Sequence, residues 1–135
     1  MAKSKLILVT GATGYVGGRL APKLLEAGYR VRCLVRDPER LKGRSWLTSS
    51  PKRKQVEIVR GDALEKESVV AAMQGVSVAY YLIHGLQGGK VDARRDMTAA
   101  RNFAEASEEA GIQRIIYLGE LVNTTDYLSP YLRAR

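Results

Sequence analysis

Apolar runs of strand length recur along the chain, and between them apolar residues return every three to four positions. The runs are Leu6 to Val9, Tyr29 to Val35, Val56-Glu57-Ile58-Val59, Val76 to Ile83 and Ile112 to Leu118. Short apolar runs bounded by turn signals read as strands, and a 3.6-residue period reads as an amphipathic helix. After the first run, Val16, Leu20, Leu24 and Leu25 fall on one helical face. A unit then repeats: helical pattern, glycine, apolar run. It occurs at Leu24 to Gly28, at Ala71 to Gly75 and at Glu109-Ala110-Gly111. Glycine just past a helix takes the left-handed conformation that closes it. Near-continuous apolar runs such as Leu6 to Val9 and Ile115 to Leu118 suit a parallel sheet covered on both faces. Strands alternating with helices predict an α/β fold. Under the right-handed crossover rule this is a doubly wound parallel sheet of about five strands, ordered 3-2-1-4-5, with helices on both faces.

Two irregularities interrupt the pattern. Pro22 falls inside the first helix and removes an N–H, which predicts a bend. The segment from Arg44 to Gln55 contains Ser49-Ser50-Pro51 and Lys52-Arg53-Lys54 and reads as a long, exposed, mobile loop.

The junction of the first run and the first helix carries the chemistry. Thr10-Gly11-Ala12-Thr13-Gly14-Tyr15-Val16-Gly17 keeps three glycines in step between strand and helix. The first lets the chain leave the strand sharply. The second leaves room for a phosphate, and the third lets helix and strand pack closely. The helix N-terminus then offers unpaired N–H groups and a partial positive charge to an anion. This Rossmann-like arrangement predicts a site for a dinucleotide pyrophosphate, with Thr10, Gly11, Thr13, Gly14, Tyr15, Val16 and Gly17 as candidate cofactor-binding residues.

Composition narrows the picture. A chain of 135 residues fits one domain with a real core. No apolar run approaches the roughly 20 residues that span a membrane, and the first strand follows Met1 too closely for a signal peptide. The single Cys33 has no disulfide or metal partner and reads as a small buried hydrophobe, which makes a reducing, cytoplasmic setting the default. His84 is the only histidine, so no histidine-based metal cluster is expected. The net charge of +8 is local: between Arg36 and Lys54 seven basic residues face only Asp37 and Glu39. That segment follows the second strand, where the cofactor ribose lies in this architecture. NAD sites place a carboxylate there and NADP sites an arginine. Arg36 comes directly after Val35, while Asp37 before Pro38 is a good cap for a short helical turn through Leu41. A guanidinium holds a phosphate by two hydrogen bonds, so NADP is preferred and NAD is the alternative. Arg19, early in the first helix, is either an assistant or a solvated helix residue.

These residues carry a family resemblance. Thr10 to Gly17 resembles the TGxxGxxG fingerprint of extended and atypical short-chain dehydrogenases/reductases. Val35-Arg36-Asp37-Pro38, Gly61-Asp62-Ala63, Tyr81-Leu82-Ile83-His84 and Arg114 to Gly119 are similar to landmarks of the NmrA-like, NAD(P)H-binding branch. The closing Leu128 to Arg135 is similar to a segment that some of those proteins carry after the fifth strand. The resemblance implies that Asp62 and Ala63 approach the adenine; the competing role of Asp62 is to cap the helix Leu64 to Gln74. It implies that His84, after the fourth strand, lies near the ribose and nicotinamide.

Typical members of the superfamily use a tyrosine with a lysine four residues later, often with a serine after the fifth strand. This chain has no Tyr-x-x-x-Lys, and Gly119-Glu120 stands where the serine is expected. The nearest match is Tyr131-x-x-x-Arg135. A guanidinium favours tyrosinate by its charge but does not exchange a proton at neutral pH. Tyr131 and His84 are the candidate catalytic residues. A complete fold of this family continues with a sixth strand and a substrate-binding part, so residues 1–135 are expected to form one dinucleotide-binding domain cut before them, with catalysis outside this form.

Three functions follow as expectations. The first is the cofactor-binding portion of an NADP-dependent oxidoreductase acting on an unidentified small molecule. The second is a non-catalytic NAD(P)-binding sensor or scaffold, which the missing tyrosine–lysine pair favours. The third is nucleic-acid binding through residues 36–54, where Trp46 has no aromatic companions. An oligomer is compatible with each.

Overall fold

The computed structural model describes residues 5–83, 86–87, 90–91 and 93–119. In chain order these form β1 (Leu6–Thr10), α1 (Tyr15–Glu26), β2 (Arg30–Val35), a 3-10 turn Pro38–Leu41 and α2 (Ser45–Thr48). A second 3-10 turn (Arg53–Gln55), β3 (Val56–Arg60), α3 (Lys66–Ala72) and β4 (Val78–Tyr81) follow. The two-residue strands β5 (Leu86–Gln87) and β6 (Lys90–Val91) precede α4 (Ala93–Ala110) and β7 (Arg114–Tyr117). The large sheet is entirely parallel and ordered β3-β2-β1-β4-β7, while β5 and β6 pair separately. Counted along the large sheet alone, this is the expected 3-2-1-4-5.

The period of two along each strand divides the core between the two faces of the sheet. On one face Ile7, Val9, Val31, Cys33 and Val35 pack against Ala21, Leu24 and Leu25 of α1. On the other, Leu6, Leu8, Leu34, Ala79 and Tyr81 pack against Val69 and Ala72 of α3 and Phe103 and Ala106 of α4. Gly28, Gly75 and Gly111 close the three long helical segments at φ 96°, 78° and 69°, as the repeating unit requires.

Several boundaries and faces differ from expectation. Val16 is 43% exposed, and the buried face of α1 starts at Gly17 and continues through Ala21, Leu24 and Leu25. Its position in the first turn lifts Val16 above the sheet toward solvent. The bend expected at Pro22 does not end α1, which continues through it to Glu26. The apolar runs overshoot the strands: Val76, Ile112 and Leu118 lie outside β4 and β7, although Val76 is still a core residue. β7 is not covered on both faces, because Ile115 and Tyr117 remain 43% and 46% exposed at the edge of the described sheet.

The basic segment is also more ordered than a mobile loop. Trp46 and Leu47 pack against the α1 side of the core. Lys52 Nζ donates to the carbonyls of Leu25 (3.1 Å) and Glu26 (3.3 Å). Those carbonyls end α1, where unpaired acceptors and the helix dipole attract a cation.

Candidate functional site

β1 delivers the chain to the carboxyl edge of the sheet between β2 and β4, and the glycine turn begins there. Thr10 is fully buried; its hydroxyl donates to the Tyr80 carbonyl (2.7 Å) and accepts from the Leu82 N–H (3.4 Å). That side chain therefore fastens β1 to the end of β4. Gly11 adopts φ +84°, and a Cβ there would stand 3.1 Å from the Leu82 carbonyl oxygen. Its own carbonyl accepts the Gly14 N–H at 3.0 Å, which closes the turn. Gly17 presses against the turn so closely that a Cβ would stand 2.7 Å from the Gly11 carbonyl carbon and 2.9 Å from Ala12 Cα. Gly14 caps α1 in an extended conformation with no side-chain hydrogen bond, and the first turn holds no acidic residue. The first N–H groups of α1 thus stay uncapped beside the exposed Gly14, Tyr15 and Val16. A carboxylate does not compete for them, and the helix dipole adds positive potential. This side-chain-free cradle fits a pyrophosphate.

Two guanidinium groups touch the cradle and a third follows β2. Arg36 follows β2 directly, is exposed, and makes no hydrogen bond or ion pair among the described residues. Asp37, the competing ribose ligand, accepts the Glu39 N–H at 3.1 Å as the cap of the Pro38–Leu41 turn. Arg44 reaches back from the basic segment, and its guanidinium donates to the Thr13 carbonyl at 3.3 Å. Arg19 lies 3.6 Å over the Tyr15 ring and donates to the Tyr15 carbonyl at 3.2 Å. The Arg44 contact spans 31 positions of sequence, and only the excess of basic residues in that segment hints at it.

Asp62 stands after β3 at the same edge, but it does not cap α3. That helix starts at Lys66 behind Glu65. The Asp62 carboxylate instead accepts the Leu64 N–H at 2.9 Å, a local turn that competes with helix geometry. The Ser68 hydroxyl accepts the Asp62 N–H at 3.0 Å and holds the turn from below. Ala63 is buried, and its carbonyl accepts from Asn102 of α4 at 2.9 Å. His84, Tyr131 and Arg135 lie outside the described residues.

No cluster of metal-ligating groups occurs among the described residues. Burial pushes the Cys33 thiol up to about 12, which leaves it protonated and unreactive. No helix among the described residues is long and apolar enough to cross a membrane.

Known proteins share this arrangement. The chain is 31% identical over 121 residues to a 3β-hydroxysteroid dehydrogenase/Δ5→4-isomerase of Mycobacterium tuberculosis, covering 82% of this chain and 30% of that protein. It is 31% identical over 123 residues to a dihydroflavonol 4-reductase of Dianthus caryophyllus, covering 87% and 34%. It therefore spans about a third of the length of these relatives. A short-chain dehydrogenase/reductase superfamily protein of Agrobacterium tumefaciens, solved with bound NAD, superposes with a TM-score of 0.66 at 24% identity, covering 84% of this chain and 32% of that one. The NmrA-like family model matches residues 3–130, and the chain belongs to the NmrA-like, NAD(P)-binding family.

Proposed function

We propose that this chain is the cofactor-holding part of a short-chain-type oxidoreductase and that it prefers NADP to NAD. The pyrophosphate sits on the uncapped N-terminus of α1, bounded by Gly11, Gly14 and Gly17. The observation that carries the NADP reading is the contrast after β2: the Asp37 carboxylate is engaged by the Glu39 N–H, whereas Arg36 is exposed and unpartnered among the described residues. A ribose 2′-OH calls for a carboxylate and a 2′-phosphate for a guanidinium; Asp37 commits one oxygen to the turn, while the whole Arg36 guanidinium is open. Arg44, resting on the Thr13 carbonyl, adds positive charge at the same turn. The relatives named above are dehydrogenases and reductases, which supports hydride transfer as the reaction of the whole protein. His84 and Tyr131 are the residues to substitute in testing it. The charge pattern and the single buried cysteine suit a cytoplasmic, reducing setting.

A second reading, an NAD(P)-binding sensor without turnover, is favoured by one observation: no tyrosine in the chain has a lysine four residues after it. Nucleic-acid binding by residues 36–54 is disfavoured, because Arg44 and Lys52 are engaged with the protein's own carbonyls and Trp46 packs on the core.

Calorimetric titration with NADPH and NADH tests the assignment. NADPH is expected to bind at least about tenfold tighter, since hydrogen bonds to a charged group are worth about 1.5–3 kcal/mol. Arg36→Ala is expected to remove most of that preference, and Arg44→Ala a smaller part. Equal affinities in the unmodified chain, or an unchanged preference in Arg36→Ala, would overturn it. NADPH-dependent carbonyl reduction by a full-length form, lost on replacing Tyr131 or His84, separates the enzyme from the sensor.

A further inference from the structure

The basic segment that follows β2 lies along α1 and is fastened at either end of it. At the start, the Arg44 guanidinium donates to the Thr13 carbonyl at 3.3 Å, and a Cβ at Gly18 would meet it at 3.8 Å. At the finish, Lys52 Nζ donates to the carbonyls of Leu25 and Glu26 at 3.1 and 3.3 Å. Between these points α2 fixes the backbone from which Arg44 reaches. The Arg44 carbonyl accepts the N–H groups of Leu47 (2.9 Å) and Thr48 (3.0 Å) and the Thr48 hydroxyl (3.2 Å). Arg44 thus starts a single helical turn whose Trp46 and Leu47 rest on the core. Its guanidinium forks into several N–H donors, and Thr13 is the one acceptor they meet among the described residues.

That turn is loosely seated. A cavity of about 230 Å³ opens between Pro22 and Leu25 of α1 and Trp46, Ser49 and Lys52 of the segment. Trp46 Nε1 is buried without an acceptor among the described residues, which offsets part of what the ring gains by packing. The Lys52 bonds therefore carry much of the hold at the far end, where an ammonium meets the negative end of the α1 dipole. α1 has 12 residues, so roughly 18 Å separate its ends. That exceeds the Debye length of about 10 Å at 0.1 M salt, so the Lys52 charge itself is screened from a ligand at the glycine turn. An effect of Lys52 on such a ligand passes through the segment.

We propose that Lys52 is a positioning residue for the cofactor. By anchoring the segment on the carboxyl end of α1 it keeps Arg44 over the glycine turn, where Arg44 shares the ribose 2′-phosphate with Arg36. This role rests on the NADP reading and extends it to a residue that no phosphate touches. Without the anchor the segment shifts on its loose seat, and the Arg44 guanidinium is in place for a smaller fraction of the time. The pyrophosphate cradle is built from backbone and is untouched. Lys52 thus governs NADPH affinity and leaves NADH affinity alone.

Calorimetric titration with NADPH and NADH tests this in the unmodified 135-residue chain, in Lys52→Met, in Arg44→Ala and in the double variant. Lys52→Met keeps most of the side-chain stem and removes the donors. It is expected to weaken NADPH binding at least about twofold, the lower end of couplings between linked residues, with NADH unchanged. In the Arg44→Ala background the same substitution is expected to do nothing further, and Lys52→Arg is expected to keep the preference. Equal weakening of both cofactors by Lys52→Met would mark a purely structural residue and overturn the proposal. So would an undiminished effect in the Arg44→Ala background, which marks the Lys52 charge acting directly. Equal binding of NADPH and NADH by the unmodified chain overturns the NADP reading and this role with it. A preference that Lys52→Met leaves intact overturns the role of Lys52 alone. Trp46, the only tryptophan, reports on the segment with no cofactor present. Acrylamide quenching of its fluorescence is expected to rise at least about twofold in Lys52→Met, because the ring leaves the core more often. Unchanged quenching would overturn the anchoring by itself.

Discussion

The two outer strands of the sheet finish in different ways. β3 carries Glu57 and Arg60 between its apolar residues, and Glu57 pairs with Arg32 of β2 at 2.8 Å. The same Arg32 guanidinium donates to the carbonyls of Ala72 (2.6 Å) and Gln74 (2.7 Å) at the end of α3. One face of that edge carries charge, a common way to discourage further strand pairing, while Ile58 on the other face is 42% exposed. β7 reads Arg-Ile-Ile-Tyr and presents Ile115 and Tyr117 beside a groove. Its tyrosine is met on the sheet by Tyr81, with ring centroids 5.9 Å apart, which anchors the strand without covering it. The contrast sets a charged outer strand against an apolar one.

The centre of the sheet gives the reference for any perturbation of its edges, and the largest effect is expected there. Leu8 in β1 is 0% exposed and packs on the α3–α4 side. Leu8→Ala should cost about 2–5 kcal/mol, the range for a leucine truncated in a packed core. A fall in the urea midpoint with an unchanged m-value would show it. A cost under about 1 kcal/mol would mean that the central strand collapses around the cavity and is no better packed than an edge.

Legibility in the sequence tracks the range of the interactions involved. The strand Leu6 to Val9, the glycine turn and the helix-closing glycines at 28, 75 and 111 were readable because each depends on neighbours a few positions away. The Asp37 cap of the Pro38–Leu41 turn was readable for the same reason, since it is an i to i+2 contact. Arg44 on Thr13, Lys52 on the end of α1 and the exposure of β7 were not readable, since each depends on elements far apart in sequence. The reading of Asp62 as a helix cap failed at a boundary. A carboxylate bonding the N–H two residues on resembles a helix cap in sequence, and only the backbone shows that α3 begins at Lys66.

A smaller effect separates the two edges directly. Arg32 has a side chain only 14% exposed and satisfies three acceptors. Arg32→Ala leaves the part-buried Ala72 carbonyl without this donor, while Glu57 and the Gln74 carbonyl turn to water, and about 1–2 kcal/mol should be lost. Arg114→Ala, at the exposed start of β7, should stay within about 0.5 kcal/mol. Equal costs for the two would abolish the distinction between a tied edge and an open one.

The smallest effect sharpens the comparison from inside the closed side. Cys33 lies one strand in from β3, in register with Val9 and Ile58, and beneath α1. Burial raises its thiol from 9.0 to about 12. The unfolded chain releases that proton above about pH 9 while the folded chain keeps it, so the native state binds more protons in this range. The associated stability is fully present below pH 9 and is lost as pH rises toward 12, amounting to about 1 kcal/mol by pH 10. Lys66 is also raised above 10.5, by its bonds to Glu109 and Glu105, and acts with the same sign. Its loss is centred at higher pH and is common to the unmodified chain and Cys33→Val, so the difference between the two isolates the thiol. Urea midpoints measured between pH 9 and 10.5 should fall more steeply for the unmodified chain than for Cys33→Val. Parallel slopes would mean that water reaches the thiol past β3, and that the charged edge is no tighter than the apolar one.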